Sequence, residues 1–146
     1  MSDVADVDEV GGGIVRTSIA TTAAFGVAAL AATAFPDQLG VPVAAFDVAL
    51  FVVGTVVFVL ALLKGLDRSR TEQVEIASLF FLTGATAPRA VRLQLLGCVA
   101  VQVVVAIATS SIRLYTEVAF GVLVPMLGLG LAGRWGALHG SFPKRT

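Results

Sequence analysis

The stretch VPVAAFDVALFVVGTVVFVLALL, residues 41–63, followed at once by KGLDRSR, residues 64–70, decides the fold class. Twenty-three residues pass with a single charge, Asp47, and then four charged groups arrive within seven positions. A helix rises 1.5 Å per residue, so such a run is long enough to cross a hydrocarbon layer of roughly 30 Å. The charges that follow belong in water or among lipid headgroups.

Three further runs share this character: residues 17–35, 93–112 and 118–138. Each has the length of about 20 residues that a spanning helix needs. A buried strand is far shorter, so the length of all four runs selects membrane spans. Composition agrees. Of the 146 residues, 57% are hydrophobic and only 14% charged, against about 25% charged in a soluble domain. A water-soluble fold of this size has too little interior to hide that much apolar surface. The fold class expected is an all-α membrane protein. Its four transmembrane helices form two antiparallel hairpins, with an amphipathic cytoplasmic helix between helices 2 and 3. Residues 1–15 are expected to be a disordered acidic tail, 16–140 the transmembrane domain with 64–92 as its inner loop, and 141–146 a short tail.

Charge orients the layout. Arg16, Lys64, Arg68, Arg70, Arg89, Arg92, Arg134, Lys144 and Arg145 fall on one side, and of the ten basic residues only Arg113 falls on the other. Cytoplasmic loops retain Lys and Arg, which places both termini and the inner loop in the cytoplasm. Tyr115 and Trp135 fit an aromatic belt at the outer and inner edges of the fourth span. Reading the first span as a cleaved signal peptide, with Arg16 before it and Ala32-Thr33-Ala34 as the cleavage site, conflicts with Asp3, Asp6, Asp8 and Glu9 in the leader. The formal net charge of +0 gives no sign of a nucleic-acid partner.

Local signals fill in the connections. Pro36 and Gly40 mark the first turn, and Pro42 suits the first turn of a helix. Ser69-Arg70-Thr71-Glu72 has the form of a capping box opening a helix over about 70–82, with Thr83-Gly84 as its stop. Charged at one end and apolar at the other, that helix suits either an ordinary elbow or a contact with lipid or a partner through Arg68, Arg70, Arg89 and Arg92. Pro125 is expected to kink the fourth span.

Asp47 is the one acid well inside an apolar run. It admits two readings: a carboxylate near the outer interface beside a helix N-terminus, or a proton- or cation-binding acid facing a cavity. Gln94, Cys98, Gln102, Ala106 and Ser110 follow at four-residue steps on one face, as interhelical glue or a polar path. Ala20, Ala24, Ala28 and Ala32 form a small ridge fit for close helix approach. Cys98 lacks a nearby base or second thiol and is expected to be buried and inert. The string GLGLAG, residues 128–133, matches a dinucleotide fingerprint in letters alone, since no strand precedes it. No cofactor, metal or catalytic group is expected.

The stretch SLFFLTG (78–84), with Ala87-Pro88-Arg89 and Val91-Arg92, continues to AFGVLVPM (119–126) and RWGALHGSFP (134–143). These segments resemble a group of small, uncharacterised actinobacterial membrane proteins with four helices. The resemblance covers roughly the second half of the chain; it implies a bacterial plasma membrane and lends no activity. From the residues, a non-enzymatic accessory or scaffold subunit bound to another membrane component is expected. The alternative is a small oligomeric transporter or channel using Asp47 and the Gln94/Gln102 stripe.

Overall fold

A computed structural model describes residues 11–112 and 116–146. The expected disordered leader lies mostly outside the described residues, as do Arg113 and Tyr115 and therefore the outer half of the aromatic belt. The elements are α1 (Gly12–Ala34), α2 (Pro36–Arg68), α3 (Ile76–Phe81), α4 (Arg89–Ile112), a 3₁₀ segment (Glu117–Leu123) and α5 (Pro125–His139). Four helical stretches are long and apolar enough to cross a membrane: Gly12–Ala34, Pro36–Arg68, Arg89–Ile112 and Ala119–His139. The apolar side chains they turn outward, among them Val27, Leu30, Val52, Val56, Leu93, Val104 and Ile107, suit lipid and not water.

The spans are not equivalent. In the last, 61% of the most apolar window is buried, against 28%, 17% and 22% in the first three, so α5 is the central helix. The most extensive packing joins α2 to α5 and α1 to α4, while the sequential neighbours α1 and α2 touch less. The bundle is therefore knitted between the two expected hairpins as much as within them.

Glycine makes this possible. A Cβ on Gly54 would stand 2.6 Å from both N and Cα of Leu127, and one on Gly130 would stand 2.7 Å from the Gly54 carbonyl oxygen. The two backbones thus cross with no side chain between them. Gly133 lies against the Phe80 ring, and Gly136 against the Leu79 carbonyl. The glycines of GLGLAG are contact points for three neighbouring elements.

Several boundaries differ from the sequence expectation. α2 begins at Pro36, so Pro36 takes the first helical turn and Pro42 lies inside the helix. Its missing N–H frees the carbonyl of Gln38, which is exposed. The capping box does not form. The Ser69 hydroxyl donates to the Leu66 carbonyl at 2.6 Å, and Glu72 accepts from Arg68 at 2.7 Å. Residues 71–73 instead run against the C-terminal segment: Gln73 N–H donates to Pro143, Arg145 N–H to Thr71, and Glu72 and Lys144 form an antiparallel bridge. The elbow helix shrinks to Ile76–Phe81 and stops at Leu82, whose φ of 52° is left-handed. Pro125 opens α5 where a mid-helix kink was expected, and the 3₁₀ segment before it tightens the chain. Trp135 is buried against Val15, Leu82, Val91 and Leu95, so it is a core residue and not an interfacial anchor.

Candidate functional site

Three regions carry the polar and small residues singled out by sequence: the bundle interior, a groove on its flank and the basic end.

In the interior, Asp47 is 1% exposed. It lies about three helical turns beyond the start of α2 at Pro36. A Cβ on Gly121 would stand 3.6 Å from Asp47 Oδ2 and 3.3 Å from the Phe25 ring. Asp47 is the twelfth of the 33 residues of α2 and packs beside Gly121, close to the start of the fourth span at Ala119, so it lies inside the bundle toward the end where α2 begins. Because α2 starts earlier than residue 41, Asp47 does not stand beside the helix N-terminus. Among the described residues no donor reaches Asp47 Oδ1.

Gln102 is also fully buried, and its Nε2 donates to Thr22 Oγ1 at 2.8 Å, joining α4 to α1. Thr22 in turn donates to the Ser18 carbonyl at 2.7 Å. Gln102 Oε1 is without a donor among the described residues and abuts Gly128, where a Cβ would collide with it. Such an interhelical bond contributes about 0.6 kcal/mol on average. The four-residue stripe does not stay on one surface. Gln94 is exposed, Cys98 half-buried, Gln102 and Ala106 buried, and Ser110 half-buried. Gln94 and Gln102 therefore do not line one path. Four residues overshoot one full helical turn, so each step carries the stripe further round, from lipid into the core.

Gln94 belongs to the second region. Between α1 and α4 lies an open groove of about 560 Å³, lined on α1 by Ala23, Gly26 and Val27 and on α4 by Gln94, Gly97 and Cys98. Its walls are almost wholly apolar, with Gln94 and Thr22 lining it through their apolar atoms, and Gly26 and Gly97 each leave their Cβ position open, with nothing within 4 Å. Cys98, expected to be buried, is half-buried on the wall of this groove. The alanine ridge is split: Ala20 and Ala24 are exposed, while Ala32 is buried.

At the basic end, Arg68 is occupied within the chain. It pairs with Glu72 at 2.7 Å, donates to the carbonyls of Gly140, Ala137 and Gly136 at 2.9, 3.2 and 3.4 Å, and lies 4.8 Å over the Phe142 ring. Gly136 and Ala137 are in the last turn of α5 and Gly140 is its C-cap, with Gly136 O also accepting the Gly140 N–H, so the cation meets the negative pole of the helix dipole. Arg68 is a helix cap and does not face outward as a lipid contact. Arg92 is half-buried, with a guanidinium N–H toward the Gly84 carbonyl at 3.4 Å. Arg70 and Arg89 are exposed and turn to the surroundings.

No known protein family, curated protein or solved structure matches the chain.

Proposed function

We propose that this multi-pass membrane protein is a non-enzymatic accessory subunit that receives one transmembrane helix of a different protein in the α1/α4 groove. The observation that carries this reading is the apolar groove itself, with the Cβ positions of Gly26 and Gly97 open along it and the exposed Gln94 at its edge. Lipid tails offer an amide no hydrogen bond, whereas a helix presenting a polar side chain does. The two glycines allow that helix to approach backbone to backbone.

The shape of the groove argues for a different protein and against a symmetric dimer. A two-fold contact needs a surface complementary to itself, and two concave grooves placed face to face enclose a void. A convex helix fills one. In this reading the basic end faces the cytoplasm of a bacterial plasma membrane, with both termini inside, and Arg70 and Arg89 meet anionic headgroups.

The test is affinity purification of the full chain from its native membrane, beside Gly26→Leu and Gln94→Leu forms. A membrane protein recovered at a fixed ratio with wild type, and lost from both variants, is the expected result. A partner that survives both substitutions contradicts the groove as its seat. Recovery of this chain alone, as a ring or string of copies, contradicts a different protein as the occupant.

A further inference from the structure

We propose that Asp47 is a site inside the bundle for one exchangeable positive charge, and that its occupant is a proton. The inference is independent of the groove and rests on where the carboxyl sits. Asp47 is 1% exposed, no described donor reaches its Oδ1, and it lies within a spanning helix, eleven residues past its start. A lone carboxylate there has lost its water and, among the described residues, gained no counter-charge, which costs several kcal/mol unless a positive charge neutralises it.

Among the described residues, the surroundings supply no such charge. At this level α1 presents Phe25 and Ala29, α4 presents Ala106, and the connection into α5 presents Val124; these pack as one apolar cluster with Leu50, one turn along from Asp47. Gly121 completes the wall. None of these titrates. On its own helix the nearest charged residues are Asp37, ten positions toward one end, and Lys64, seventeen toward the other. A hydrophobic side chain of similar volume would fill this place without penalty, so the carboxyl is not there for packing.

The backbone beside it is the irregular part of the bundle. Glu117–Leu123 is 3₁₀, the α-helix resumes only at Pro125, and Gly121 in that segment lies against the Asp47 carboxyl. Breaks in membrane helices are where transported ions and protons are bound in many membrane proteins, because a break frees backbone groups and lets the wall move. A metal ion needs several oxygens, and among the described residues Asp47 belongs to no group of three or more His, Cys, Asp or Glu side chains. A proton needs one.

The test uses the full chain reconstituted in liposomes and treated with dicyclohexylcarbodiimide, which enters bilayers and modifies a carboxyl only in its protonated form. Intact mass and peptide mapping read the adduct. Labelling at Asp47 that is lost in Asp47→Asn, and that falls with rising pH by up to about tenfold per unit beyond its midpoint, is the expected result. Labelling suppressed by Na⁺ or Li⁺ at fixed pH keeps the exchangeable charge but overturns the proton as occupant. Labelling that ignores both pH and salt marks a carboxyl that never releases its proton, and overturns exchange altogether. If Asp47→Asn fails to fold, the carboxylic C=O stretch of wild-type protein, followed by infrared spectroscopy over the same pH range, decides the same question. Loss of that band with rising pH supports the site, and a constant band overturns it.

Discussion

Replacing Gly54 by alanine adds one methyl group, yet the structure requires α2 and α5 to part. The new Cβ would stand 2.6 Å from N and Cα of Leu127, both backbone atoms that no rotamer change can move. Carbon atoms rest at about 3.5 to 4.0 Å, so the helices must separate locally by roughly 1 Å. A gap of that size forfeits a quarter to a half of the dispersion attraction across it, and overpacking of this kind costs about 1–3 kcal/mol. Gly130→Ala meets the Gly54 carbonyl oxygen at 2.7 Å and the Phe58 nitrogen at 3.2 Å, so its cost falls in the same range. The two substitutions push on one crossing. Once it has opened for the first, the second adds less, and the double variant is expected to lose about 1 kcal/mol less than the sum of the singles. Gly26→Ala and Gly97→Ala provide the contrast, because their Cβ positions are open. Alanine favours a helix over glycine by up to about 1 kcal/mol, so both are neutral or stabilising. Reversible unfolding in mixed micelles measures every one of these proteins. Gly54→Ala and Gly130→Ala both within about 0.5 kcal/mol of wild type would refute the crossing.

Arg68 gives a second contrast. Arg68→Lys keeps the charge but loses the planar fork that reaches Glu72 and the end of α5 together. It is expected to recover less than half of the roughly 1–3 kcal/mol lost in Arg68→Ala, measured by the same unfolding. A lysine variant as stable as wild type would leave charge alone as the explanation. Gln102→Leu removes the bond to Thr22 but also the unpartnered Oε1 beside Gly128. A net change within about 1 kcal/mol is expected; a loss above about 3 kcal/mol would show that the amide holds α1 to α4.

Much of the architecture is legible in one dimension, because hydropathy and length alone mark a spanning helix. What escaped depends on partners distant in sequence. Ser69 and Glu72 have the letters of a capping box, yet Glu72 is claimed by Arg68 and the backbone of 71–73 by residues 143–145. Local spacing cannot see that competition. The depth of Asp47 turned on whether Pro36 or Pro42 opens α2, since both prolines satisfy the same rule for a first turn. Starting at Pro36 sets the carboxyl about three turns into the helix, away from its N-terminus. The glycine density of 128–136 signals close packing, but not that Gly130 meets Gly54 while Gly133 meets Phe80. The four-residue stripe from Gln94 to Ser110 looks like one face, and the small overshoot at each step turns its two glutamines to opposite environments. Trp135 has the right position for an interfacial belt, and only the packing of α1 and α4 around it shows that it is core.

Cys98 is the chain's one cysteine and lies on the wall of the groove, so the protein carries its own probe. A thiol-reactive benzophenone attached there and illuminated in native membranes reports what occupies the groove. The expected result is an adduct to a transmembrane segment of another protein, weakened in Gly26→Leu and Gln94→Leu. Adducts to lipid alone, in membranes where wild type is otherwise intact, would contradict it.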